Sequence, residues 1–145
     1  MTPHSPSQSL HFEFDLPHPP DKVWRALTDP ELVSKWIMST DLLPEMGHNF
    51  TFRMEPSEWW DGIVHCEILA VDPPHEIAYT WKGGPANSPL DTVVTWKLSD
   101  NGSGGTLLAL DHTGFVPTNK FAFEGAQQGW KHRVDTLLRN LLETV

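Results

Sequence analysis

The sequence predicts an α+β domain in which a bent antiparallel sheet carries its helices on one side. Three observations point there. Leu10–Leu16 alternates strictly, with Leu10, Phe12, Phe14 and Leu16 on one face and His11, Glu13 and Asp15 on the other, which is the pattern of a half-buried strand. Residues 21–36 then hold two brief helical patterns, followed by a run of alternating segments separated by turn signals. From Phe121 onward the apolar period is helical again. Two short helices cannot form a bundle, so they are expected to close one end of a sheet folded around a cavity, with the long C-terminal helix covering it.

Each element has its own local reason. Pro20 suits a first helical turn, and Val23, Trp24 and Leu27 follow at helical spacing. Thr28-Asp29-Pro30 breaks that helix; Asp29 can cap a second one that starts at Pro30 and shows Leu32, Val33 and Trp36 on its apolar side. Phe50, Phe52 and Met54 alternate with Thr51, Arg53 and Glu55 as a one-sided strand. In Gly62–Val71, Val64, Cys66, Ile68 and Ala70 oppose His65, Glu67, Leu69 and Val71, and apolar residues on both faces leave the orientation open. Pro73 and Pro74 remove two ladder donors and make Asp72–His75 a turn. Ile77, Tyr79 and Trp81 line the next strand, Lys82–Pro89 is a loop, and Val94, Trp96 and Leu98 share a face of the strand after it. Asp100–Gly105 is a glycine-rich hairpin connection, after which Thr106, Leu108, Leu110 and His112 fall on one side. In the C-terminal helix Phe123, Gln127, Trp130, Val134, Leu137, Leu138 and Leu141 form the expected stripe, with Lys131, Arg133, Asp135 and Arg139 pointing elsewhere. Residues 1–9 are polar and proline-punctuated and are expected to be a disordered tail, leaving 10–145 as the folded domain.

Composition excludes several functions. At 145 residues one domain with a real core is the default. A formal charge of −9 repels a phosphate backbone or an anionic bilayer, so no nucleic-acid partner is expected. The single cysteine, Cys66, forbids an intrachain disulfide framework and reads as a small core residue. No apolar run approaches the roughly 18–20 residues of a membrane span, and no signal-peptide pattern is visible. A soluble, cytoplasmic protein is the expectation, as monomer or homodimer. His65 and Glu67 lie two apart on one strand face without a third ligand at zinc spacing, so no metal site is expected. No Gly-x-Ser-x-Gly elbow or phosphate-cradling loop occurs, and no cofactor is expected.

Several blocks together resemble a known family. Lys22–Pro30 with Trp36, then Cys66–Pro74, Tyr79–Trp81, Gly105–Phe115 and Gly129-Trp130 look like the signature blocks of SRPBCC (START-like) domains, in the family's order over residues 10–143. The branch they most resemble is the one homologous to the C-terminal domain of the activator of heat-shock protein 90 ATPase. The resemblance implies a helix-grip fold, a curved antiparallel sheet wrapped around a long C-terminal helix with two short helices after the first strand, enclosing an apolar pocket. One departure is that Met46-Gly47-His48-Asn49 holds one glycine where the family commonly has a pair. Members include lipid carriers, cyclases and hormone-binding proteins, so the fold does not select a function.

The faces assigned above give the candidate ligand-binding set: Phe50, Phe52, Met54, Tyr79, Trp81, Trp96, His112, Phe123, Gln127 and Trp130. Trp24 and Trp36 read as core, while Trp81, Trp96 and Trp130 either touch a ligand or fill the pocket. Trp59-Trp60 is an exposed rim pair or a lid packed on the sheet. His112 is a neutral structural histidine or a general base, and Gln127 is the other polar group expected to look inward. Few ionisable groups belong to this set, which puts binding of a small apolar or aromatic molecule, for carriage, sensing or sequestration, first. A stress-response role acting through the surface on a chaperone comes second. A cyclase- or hydrolase-type enzyme, with His112 as base and Tyr79 as hydrogen-bond donor, comes third.

Overall fold

In the computed structural model, which describes residues 8–85 and 88–145, strand β1 (Gln8–Leu16) leads into helices α1 (Pro20–Thr28) and α2 (Pro30–Val33). Strands β2 (Ser39–Thr40), β3 (Asn49–Arg53), β4 (Ile63–Asp72), β5 (Glu76–Gly83), β6 (Leu90–Asp100) and β7 (Thr106–Phe115) follow. A short 3₁₀ turn, Pro117–Asn119, then starts the long helix, built of α3 (Lys120–His132), a π segment (Arg133–Leu138) and α4 (Arg139–Thr144). The seven strands form one sheet in the order β1-β7-β6-β5-β4-β3-β2, every neighbouring pair antiparallel. The curved sheet gripping a C-terminal helix is the helix-grip architecture.

Strand parity follows the alternation. Leu10, Phe14 and Leu16 of β1, Phe50 and Phe52 of β3, Val94, Trp96 and Leu98 of β6, and Leu108, Leu110 and His112 of β7 are all buried in one continuous core. The ambiguous strand β4 turns Val64, Cys66 and Ile68 inward and leaves Leu69 exposed. Its pairing with β5 shifts register between Ile68 and Ala70. β1 begins at Gln8, paired with Phe115, so Gln8 and Ser9 belong to the sheet rather than to a tail. Residues 1–7 of the expected tail, and 86–87 of the expected loop, lie outside the described residues.

The helical pair forms as its punctuation dictates. Pro20 and Pro30 occupy first helical positions, and the Asp29 side chain accepts from the Glu31 N–H at 3.0 Å. Trp36 is buried and its indole N–H donates to the Ala26 carbonyl at 2.8 Å, tying the end of α2 back onto α1. Trp24, expected in the core, is half-buried against it.

The long helix departs from expectation in its stripe. Ala122 and Ala126 are half-buried and Trp130, Val134, Leu138 and Leu142 are buried, a recurrence of four residues throughout. On an α-helix of 3.6 residues per turn such a line drifts around the axis, and the wider i→i+5 turn of the π segment takes up the drift. Leu137, expected on the stripe, is therefore rotated out and 37% exposed. Gln127, one position past Ala126, is exposed to solvent rather than aimed inward. Among the described residues no helix is long and apolar enough to cross a membrane.

Candidate ligand cavity

Much of the enclosed space is filled by aromatic rings. Phe50 meets Tyr79 at 5.3 Å between ring centroids, Phe52 meets Trp81 at 5.1 Å, and Trp96 packs between Trp36 at 5.6 Å and Trp130 at 5.5 Å. The Trp96 indole N–H donates to the Tyr79 hydroxyl at 2.9 Å, so both polar atoms are satisfied inside the core. Burial pushes the Tyr79 phenol far above its ordinary pKa and the Cys66 thiol above its own.

Two adjoining cavities remain between the sheet and the long helix. The larger, about 230 Å³, is lined by Met38, Val64, Trp81 and Leu90 with Trp60 and Met54 at its side. The smaller, about 160 Å³, is lined by His112, Phe115 and Trp130. Trp81, Leu90, Ala122 and Arg133 belong to both. The expected site thus divides. Trp81, His112, Trp130 and Met54 reach a cavity, Met54 from a half-exposed position just past the end of β3. Phe50, Phe52, Tyr79 and Trp96 face inward as expected but pack against one another and line neither space. Phe123 is half-buried, edge-on to Phe115 at 5.2 Å, and also lines neither.

Local chemistry builds the mouth. Gly83 ends β5 at φ +142°, and a Cβ there would come within 2.6 Å of the Ile63 carbonyl, so glycine lets the two strands close up beside the cavity. Trp60 lies over this junction and its indole N–H donates to the Ile63 carbonyl at 3.2 Å, whereas Trp59 is 76% exposed. The pair is thus half lid and half rim. Asn119, buried at the start of the long helix, donates to the Pro89 carbonyl at 3.2 Å and accepts from the Val116 N–H at 3.1 Å, fixing the chain before β6 to the helix.

His112 has one consistent hydrogen-bonding state. The Trp130 indole N–H, which can only donate, points at Nδ1 at 3.0 Å, so Nδ1 is an acceptor. The Thr92 hydroxyl lies 2.7 Å from the Trp81 carbonyl and 2.8 Å from His112 Nε2. A carbonyl only accepts, so Thr92 donates to it and accepts from Nε2–H. The imidazole is neutral, and burial lowers its pKa to about 3. Its free lone pair is held by Trp130, which leaves no acceptor for a substrate proton.

Arg133 is the residue that spacing alone missed. It is half-buried, its guanidinium carbon stands 5.7 Å from the centroid of the Trp130 ring, and desolvation lowers its pKa. Among the described residues no carboxylate lies within 4 Å of it, whereas Lys82, the other cation at the larger cavity, is 3.7 Å from Asp91. Arg133 follows Trp130 by three positions, and a long side chain there can lie back along the stripe's edge. Among the described residues no group of three His, Cys, Asp or Glu side chains is placed to hold a metal ion.

The chain is similar in structure to the protein MLL2253 from Mesorhizobium loti, with 35% identity, a TM-score of 0.85, and 95% of this chain and 98% of that one covered. CalU16 from Micromonospora echinospora is 26% identical at a TM-score of 0.71, over 94% of this chain and 76% of that one. BH1534 from Bacillus halodurans shares the fold at 23% identity and a TM-score of 0.75, over 93% and 96% of the two chains. No curated protein matches the chain. Residues 17–143 match the family described as activator of Hsp90 ATPase homolog 1-like protein. With most of its length inside that match and a helix-grip fold around it, the chain belongs to the activator of Hsp90 ATPase homolog 1-like family of START-like domains.

Proposed function

We propose that the protein binds a small apolar or aromatic molecule in the cavity beneath the long helix and carries, senses or sequesters it. The observation that carries this is the larger cavity, about 230 Å³, walled by Met38, Val64, Trp81 and Leu90. Its volume lies below the roughly 300–1,000 Å³ of drug-sized sites, which suits a molecule of one or two rings. Binding is favoured over catalysis because among the described residues the interior offers no acid–base pair. His112 is neutral with both nitrogens engaged, and Tyr79 is sealed against Trp96 away from both cavities. Titration with naphthalene or indole, followed by intrinsic tryptophan fluorescence, is expected to saturate with affinities of about micromolar or weaker. Ala122→Phe, which fills the space shared by both cavities, should remove the response. No response in the folded parent, or an unchanged response in Ala122→Phe, would count against the cavity as the site.

A second reading takes its support from the name of the matched family. Trp59 and Phe121, 76% and 88% exposed, stand on either side of the segment around Gly84 and Pro85, and a chaperone of the Hsp90 type would meet them there. Stimulation of an Hsp90 ATPase by the protein, lost in Trp59→Ser and Phe121→Ser, would favour this surface role over the cavity. Absence of stimulation is the result expected from a ligand carrier.

A further inference from the structure

The wall of the larger cavity is apolar except for two cationic side chains, Lys82 and Arg133, of which only Arg133 also lines the smaller cavity. A half-buried cation has lost part of its hydration, and that loss is ordinarily offset by a carboxylate or by several hydrogen bonds. Among the described residues Arg133 has neither a carboxylate within 4 Å nor a hydrogen-bond acceptor, and its guanidinium carbon stands 5.7 Å from the centroid of the Trp130 ring. Lys82 beside it shows the contrast, since its ammonium turns to Asp91. The π segment that keeps the buried line facing the sheet also begins at Arg133, and π turns inside α-helices are frequent at functional positions.

Resting on the cavity as the binding site, we propose that its ligand is a small aromatic monocarboxylic acid, its ring held between Trp81 and Leu90 and its carboxylate on Arg133. The planar fork of a guanidinium matches a carboxylate with two parallel N–H···O bonds, and an arginine stays charged even when desolvation lowers its pKa. The overall charge of −9 does not oppose this, because at physiological salt exposed charges beyond about 8 Å are largely screened while a half-buried pair is not. The Trp130 ring keeps the guanidinium in place when no ligand is bound.

The test compares 2-naphthoate with 2-naphthamide, two probes of nearly equal shape of which only the first is charged, by isothermal titration calorimetry on the full chain. The parent is expected to bind the acid at least about tenfold more tightly than the amide. Arg133→Gln should bring the two within about threefold of each other while still binding the amide, and Arg133→Lys, charged but without the fork, should keep part of the preference. Equal affinity of the parent for both probes, or an undiminished preference in Arg133→Gln, would overturn the assignment of Arg133 and leave the cavity as the site. Failure of the parent to bind either probe would overturn both. Should Arg133→Gln not fold, the parent's own discrimination and that of Arg133→Lys decide the matter.

Discussion

The Trp130 indole N–H meets His112 Nδ1 at 3.0 Å, so the long helix is joined to β7 by a hydrogen bond that survives only while the imidazole is neutral. Its energetic consequence is a pH dependence of known sign. The folded-state pKa of about 3 lies below the ordinary value of 6.5. Between those values the unfolded chain holds a proton that the folded chain does not, so stability is complete above about pH 6.5 and is lost as pH falls toward 3. The slope from this one group approaches about 1.4 kcal/mol per pH unit. Urea unfolding between about pH 4 and 7 should show part of the parent's slope missing in His112→Phe. His11 acts in the opposite sense: bonds to Glu13 and Asp111 raise its pKa, favouring the fold below about pH 6.5 and losing effect as pH rises through the raised value. Because His11 is present in both proteins it cancels in the difference, and identical slopes would contradict the neutral His112.

His112→Gln should lower stability by about 1–3 kcal/mol, because a flexible amide of different length and shape remakes the bonds to Trp130 and Thr92 with poorer geometry. Affinity for an apolar probe should stay within a few fold, since the larger cavity is not lined by this residue. An unchanged melting temperature accompanied by loss of turnover of an identified substrate would show His112 to be a catalytic base.

Tyr79→Phe separates the core from the site. It removes the acceptor of the buried Trp96 indole N–H and should destabilise the protein by about 1–3 kcal/mol, with no change in probe affinity. A large loss of affinity at unchanged stability would mean that the filled aromatic cluster opens to admit the ligand. Chemical denaturation and probe titration on the same preparation distinguish the two.

Gln127→Ala, by contrast, should change stability by no more than about 0.5 kcal/mol and leave probe binding unaltered, because the side chain is exposed. A measurable loss of binding would place it at the cavity after all.

The faces of β1, β3, β6 and β7 were legible because alternation has a period of two, and one buried face then fixes every residue on the strand. Alternation cannot say whether inward rings leave room between them. Phe50, Phe52, Tyr79 and Trp96 point inward as read, yet their rings interlock and the open space lies beside Trp81 and under Ala122. Gln127 falls off the buried line and Arg133 lies at its edge because that line repeats every four residues through a π segment, whereas the α-helical period of 3.6 places Gln127 on it. The repeat of Ala122, Ala126, Trp130, Val134, Leu138 and Leu142 was present in the sequence as a signal of that change.

The most direct measurement is an NMR titration of the tryptophan indole N–H signals with 2-naphthamide. Seven tryptophans give one probe each, and only some of them touch the cavities. Binding beneath the long helix should shift the signals of Trp60, Trp81 and Trp130 in a saturable way while those of Trp36, Trp96 and the exposed Trp59 stay nearly fixed. Shifts confined to Trp59, or none at all at saturating probe, would contradict a ligand site in the cavity.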